Sequence, residues 1–209
     1  MHIAKVITTL LCATFVPFSF AQVGNNTNVV NPNLAKKSEL TAVSGVTAAI
    51  ADKIIEARPI ASNLEIDQII GGALSDKDKA EVRAKLFLPI NLNTASDAEL
   101  SLVPGISRKM KHEFEEYRPY TSMEQFRREI GKYVDDKEVA RFEQYVFVPM
   151  DLNSASSEAF ASIPGMNRKM VHEFEEYRPY RSMEQFRREI GKYVDKNEVA
   201  RLERYVYIK

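Results

Sequence analysis

Cysteine is nearly absent: the 209 residues hold one, Cys12, inside an apolar run at the N-terminus. If that run is removed on export, the remaining chain has no disulfide, no thiol nucleophile and no cysteine metal site, so it must hold together by its core. An excess of positive charge is also missing. Lys and Arg number 29, as do Asp and Glu, and loss of Lys5 with the N-terminal run leaves one net negative charge. A dedicated nucleic-acid binder usually carries a basic excess, so any phosphate binding here has to be local. Past the N-terminal run nothing is long and apolar enough to span a membrane. No stretch alternates in the manner of a strand, which points to an all-α chain. There is no Ser-His-Asp set, Gly-rich nucleotide loop or cysteine nucleophile, and adjacent acids such as Glu115 and Glu116 point apart on a helix. The reading is therefore non-enzymatic, with no cofactor and no small-molecule substrate.

The N-terminal run is informative. Residues 1–21 carry Lys5, then an apolar stretch from Val6 to Phe20, and end in Ser19-Phe20-Ala21. Small residues at the −3 and −1 positions of a cleavage site mark a signal peptide. Pro17 and the interrupting Thr8, Thr9 and Ser19 argue against a spanning helix. Thr9-Leu10-Leu11 is a poor lead-in to a lipidated Cys12. Cleavage after Ala21 makes the protein exported, to the periplasm or beyond the cell, with no membrane insertion afterwards. The polar, asparagine-rich stretch 22–30 reads as a disordered leader.

The rest of the chain is periodic. Residues 112–135 read HEFEEYRPYTSMEQFRREIGKYVD, and 172–195 repeat them with one exchange, Arg181 for Thr121. One further step of 60 back from Gly105, Glu116, Arg118 and Pro119 reaches Gly45, Glu56, Arg58 and Pro59. A fixed period of this length means one structural unit used three times: 31–89, 90–149 and 150–209. The first is the most diverged. Short junctions around Pro89 and Pro149 favour a stiff array.

Within unit two the helix signals are plain. Ser96 with Glu99, Ser122 with Gln125, and Asp135 with Glu138 have capping-box spacing, and Ser107 can cap a further helix that stops before Pro119. Met110, Phe114 and Tyr117 share one face of that helix; Phe126, Ile130, Val139, Phe142 and Val146 are further inward candidates. Four short helices joined by two hairpins result.

The run Asn91-Leu92-Asn93-Thr94-Ala95-Ser96, then Val103-Pro104-Gly105-Ile106, then Tyr117-Arg118, resembles the ComEA-type helix-hairpin-helix family. Unit three repeats it as Asp151-Leu152-Asn153-Ser154-Ala155-Ser156 and Ile163-Pro164-Gly165-Met166, and unit one keeps Val43-Ser44-Gly45-Val46 and Arg58. The resemblance spans nearly all of the chain after the leader. It implies an exported DNA receptor with two hairpins per unit, each gripping the sugar-phosphate backbone of double-stranded DNA without reading bases. A Gly-apolar-Gly turn of that kind presents backbone N–H groups at a helix start, where the dipole favours an anion. The candidate phosphate-binding turns here are Gly45-Val46-Thr47, Gly105-Ile106-Ser107 and Gly165-Met166-Asn167. Each has lost the second glycine to an N-capping residue that competes for an amide. Arg108, Lys109, Lys111, Arg168 and Lys169 follow as candidate cationic contacts, unless they pair with Glu113, Glu115 and Glu116. In the second hairpins the family's turn aligns with Tyr133-Val134-Asp135 and Tyr193-Val194-Asp195. An aspartate there caps the helix itself and repels phosphate, so those turns are structural.

Other features have plainer readings. His112 and Glu116, or His172 and Glu176, have metal-ligand spacing but no second histidine or cysteine beside them. Tyr117-Arg118-Pro119-Tyr120 could stack on bases, but such residues more often pack a loop on its own unit. The alternative function is an envelope-protein scaffold that binds no nucleic acid, for which a fold-related extrinsic subunit of photosystem II, docking to proteins, is the family precedent.

Overall fold

The computed structural model describes residues 22–24, 26, 28–72 and 74–209. The signal-peptide reading falls on residues 1–21, outside that set. The described chain is mostly helical, and its buried hydrophobic residues fall into three clusters that follow the 60-residue period. The first stretch contributes α1 (Lys37–Thr41), α2 (Ala48–Glu56), α3 (Asn63–Ile70) and α4 (Asp76–Arg83). The second contributes α5 (Asp97–Leu100), α6 (Arg108–Glu116), α7 (Met123–Ile130) and α8 (Asp136–Glu143). The third contributes α9 (Ser157–Ala161), α10 (Arg168–Glu176), α11 (Met183–Ile190) and α12 (Lys196–Glu203).

Helix starts follow from side-chain chemistry. Ser96 and Glu99 form a reciprocal box: the Ser96 hydroxyl accepts the Glu99 N–H at 3.2 Å, and the Glu99 carboxylate accepts the Ser96 N–H at 3.0 Å. The other two expected boxes are half-built. Ser122 and Asp135 do cap, but the Gln125 side chain accepts from Thr121 N instead, and Glu138 turns to Arg141.

Two short strand pairs accompany the helices. β1 (Ile90–Asn91) pairs in parallel with β2 (Val146–Phe147), and β3 (Met150–Asp151) with β4 (Val206–Tyr207). Unit one has the equivalent single bridge, Val30 to Leu86. Each pair joins the entry of a unit to its exit. Two residues are too few for alternation to register in a sequence.

The Asn-Leu-Asn run and the Tyr-Arg-Pro run are two sides of one clasp. Asn93 Nδ2 donates to the Tyr120 carbonyl at 2.8 Å, and its Oδ1 accepts the Tyr120 N–H at 2.6 Å. Arg118 donates Nε to Leu92 O at 2.6 Å and Nη2 to Ala95 O at 2.8 Å. Asn153 with Arg178, and Asn33 with Arg58, repeat the arrangement. These arginines therefore satisfy backbone carbonyls. The three Arg-Pro peptides, at Pro59, Pro119 and Pro179, are all cis.

The cores are aromatic in units two and three. Phe114 makes edge contacts with Phe126 and Phe142 at 5.1 and 5.3 Å, and Phe174 does so with Phe186 and Phe160, each at 5.2 Å. One ring has changed helix: α8 carries Phe142 where α12 has Leu202, and α9 carries Phe160 where α5 has Leu100. Successive units touch through Phe87 against Tyr145 at 5.1 Å and Phe147 against Tyr205 at 4.6 Å.

Within residues 22–30, read as a disordered leader, Gln22, Val23, Val29 and Val30 are instead docked. The Val148 N–H donates to Gln22 O at 2.9 Å, Val23 bridges to Phe147, and the Gln22 N–H donates to the Ser162 hydroxyl at 3.2 Å. Farther on, Val30 accepts from Phe87 N at 3.1 Å. Val23, Val29 and Val30 supply apolar contacts that a count of polar residues undervalues.

Candidate nucleic-acid interface

The three first turns share one geometry. After α5 the chain turns back: the Val103 N–H donates to Leu100 O at 3.0 Å, and the Ile106 N–H to Val103 O at 3.1 Å. Gly105 bridges the turn at φ +70°, a conformation that a Cβ strains. Ser107 is extended and its hydroxyl accepts the Met110 N–H at 3.1 Å. The others match, with Gly45 at φ +88° before the Thr47 cap and Gly165 at φ +78° before the Asn167 cap. The capping residue occupies one amide in each case. The preceding N–H groups, including those of Arg108 and Lys109, have no partner within the helix by geometry. Val46 is buried, while Ile106 and Met166 pack half-buried on their cores.

A clamp absent from the sequence reading holds two of these turns. Arg141 donates Nη1 to the Pro104 carbonyl and grips Glu138 with Nε and Nη2 at 2.7 and 2.5 Å. Its guanidinium lies 3.1 Å from where a Cβ on Gly105 would stand. Arg201 does the same for Pro164, at 2.5 Å, from a side chain only 3% exposed. The recurrence of Glu138-Arg141 as Glu198-Arg201 was the available signal. Unit one has Glu81 at that place, and Val82 packs on Gly45. The ion pair with Arg141 holds the Glu138 carboxyl below the usual carboxylate range.

The candidate cations divide sharply. Arg108 and Arg168 are exposed, and neither makes an ion pair among the described residues. Lys109 lies over the Tyr133 ring at 5.1 Å, and Lys169 over Tyr193 at 5.2 Å. Lys111 pairs with Asp97 at 2.5 Å and donates to the Ser101 hydroxyl at 3.2 Å. Among the described residues none of these cations pairs with Glu113, Glu115 or Glu116. A tyrosine and α5 take the lysines because α6 presents them toward the neighbouring turns.

Neighbouring units also shape the turns. The turn through Gly105 and Ile106 borders a groove whose other wall is α4, with Lys77, Ala80 and Glu81. Leu34 of unit one lies over Gly165, 3.1 Å from a notional Cβ. All three glycines are nevertheless exposed.

In the second turns, Gly131 and Gly191 are helical, and no residue there has positive φ. Asp135 and Asp195 accept the Glu138 and Glu198 N–H groups at 2.8 and 2.9 Å. Tyr133 and Tyr193 instead form hydroxyl pairs with Tyr117 and Tyr177, at 2.9 and 2.8 Å. That hydrogen bond, with Glu113 close by, pushes the Tyr133 phenol above its ordinary range. His172 pairs with Glu176 at 3.1 Å, and no group of three metal-ligating side chains occurs among the described residues. No helix among them is long and apolar enough to cross a membrane. In comparisons with known proteins, no family model, no curated protein and no solved structure matches this chain.

Proposed function

We propose that this chain is an exported, non-enzymatic protein of three tandem helix-hairpin-helix units that holds double-stranded DNA weakly, through its sugar-phosphate backbone. One observation carries the reading. A positive-φ glycine, an extended capping residue and a nine-residue helix follow one another at Gly45, Gly105 and Gly165, so the same outward amide array is built three times. Arg108 and Arg168 add an uncommitted charge to two of them. The balanced overall charge supports a low affinity, micromolar or weaker at physiological salt, and backbone contacts carry no base information.

The test is a titration of the protein with duplex DNA at two salt concentrations. With roughly 2–4 phosphates engaged, the log–log slope is about −2 to −4. No shift of duplex at tens of micromolar protein in low salt overturns the reading. A second reading, an envelope-protein scaffold, draws on the balanced charge and on the capping side chain that occupies an amide in each turn.

A further inference from the structure

Units two and three each carry a pair of tyrosines that links the end of one helix to the second turn. Tyr117 caps α6 and Tyr133 lies in that turn, with their hydroxyls 2.9 Å apart; the Tyr177 and Tyr193 hydroxyls are 2.8 Å apart. In both pairs the ring centres stand 6.4 Å apart, with the planes inclined by 50° and 49°. The hydroxyls are closer than the ring centres, so the rings lean together at their phenolic ends and the carbons ortho to each oxygen converge. Lysines brace all four rings: Lys109 over Tyr133, Lys132 over Tyr117, Lys169 over Tyr193 and Lys192 over Tyr177.

Each pair also has a proton acceptor and an open side. Glu173 is buried beside the Tyr193 phenol, and its Oε2 has no hydrogen-bond partner among the described residues. Such a buried carboxylate oxygen is costly, which points to a use for it. Glu113 stands in the same relation to Tyr133. Tyr133 and Tyr193 are exposed, so a small oxidant reaches them from solvent. Tyr120, Tyr145, Tyr180 and Tyr205 are buried, and the exposed Tyr207 joins no tyrosine pair among the described residues. Unit one has Ala57 and Ala73 at the two positions.

We propose that Tyr117 with Tyr133, and Tyr177 with Tyr193, are oxidative coupling sites, which a peroxide-driven one-electron oxidant joins into a carbon–carbon staple within each unit. Each phenol gives up one electron and one proton. The Tyr133 proton passes to Glu113 as its electron leaves, so no ring cation forms beneath Lys109, and the Tyr117 proton passes to solvent. The two radicals bond ortho to ortho, and the hydrogens displaced from those carbons move to the oxygens, restoring both phenols. One hydrogen peroxide is reduced to two waters for each staple. Because the partners are held in contact, coupling within a unit outruns coupling between chains. The inference depends on neither DNA binding nor export.

The experiment treats the full chain with hydrogen peroxide and a haem peroxidase, and follows intact mass and the fluorescence of the coupled phenols. Each staple removes two hydrogens, tryptic peptides carry Tyr117 bonded to Tyr133 and Tyr177 to Tyr193, and the rate per chain is unchanged by dilution. Tyr117→Phe with Tyr177→Phe keeps every ring and abolishes both staples. Glu113→Gln with Glu173→Gln slows coupling by about tenfold or more. Circular dichroism of both variants verifies the fold. Four results overturn the inference: products joined only between chains, coupling that survives the phenylalanine changes, a rate that falls on dilution, or a rate that the glutamine changes leave alone.

Discussion

Asn93 holds both backbone groups of Tyr120, taking its N–H at 2.6 Å and giving its own N–H to its carbonyl at 2.8 Å. The two residues lie 27 apart, and this contact, with Arg118, is what closes the unit's entry loop over its centre. Asn93→Ala leaves two part-buried backbone groups unsatisfied and costs about 2–3 kcal/mol. Urea denaturation of the variant against the parent reads this directly. A loss under about 0.5 kcal/mol means the loop closes without it.

The exchanged ring between units two and three predicts a coupled pair. Leu100→Phe alone overpacks unit two beside Phe114, and Phe142→Leu alone removes volume there, each costing about 1–3 kcal/mol. Together they reproduce the unit three arrangement and recover most of the loss, for a coupling of about 1–3 kcal/mol. Additive losses in a double-mutant cycle count against the two positions sharing one space.

Acid acts on the clamp over Gly105. Because Arg141 depresses the Glu138 carboxyl in the folded chain, its stabilisation is complete above the unfolded carboxyl value, about 4.3. That contribution is lost as pH falls from there through the folded value. Glu143 works the other way, since burial raises its carboxyl and favours the neutral form. The difference between parent and Glu138→Gln isolates the clamp: the variant melts lower near pH 6, and the gap narrows as pH falls below about 4. A gap unchanged by pH, measured by thermal melts, removes the assignment.

For DNA, the commitments of the cations decide which substitutions count. Arg108→Ala with Arg168→Ala flattens the salt slope by about 2, one for each phosphate left without its cation. Lys111→Ala has little effect, because that ammonium is already held by Asp97. Tyr133→Phe keeps the ring beneath Lys109, loses the hydroxyl's contacts with Tyr117 and Glu113, and leaves affinity unchanged. Gly105→Val opposes the φ of +70° and meets Arg141, so it weakens binding; circular dichroism in parallel separates loss of the turn from loss of the helix.

Export has its own readout. Intact mass of the protein from its native compartment should match a chain beginning at Gln22, without a lipid. A retained Met1 or an acylated Cys12 ends that reading.

Much of the architecture was legible in sequence because its signals are local. Caps lie three residues from their targets, and the inward faces of α6 to α8 repeat at helical spacing. Gly45, Gly105 and Gly165 marked their turns because no other residue suits that backbone. What escaped depends on contacts across tens of residues. Arg141 reaches Pro104, 37 positions back, and only its recurrence with Glu138 as Arg201 with Glu198 sets it apart from a solvated arginine. Lys109 and Lys111 carry ordinary helix-surface context, so only the fold shows which is taken by Tyr133 and which by Asp97. The two-residue strands are shorter than any pattern that reports them.

The position of Gln22 bears on how the chain matures. Its N–H reaches Ser162, 140 residues away, and Val23 rests in the cluster that unit three builds. For a chain that emerges N-terminus first, a segment ahead of all three units is among the last to find its place. Units one and two can close on local contacts while the segment waits, extended and accessible. Its capture then reports that the final unit has formed, so protection of the Val23 amide, which donates to Ser162, marks the completion of folding, since closing so distant a contact is slow.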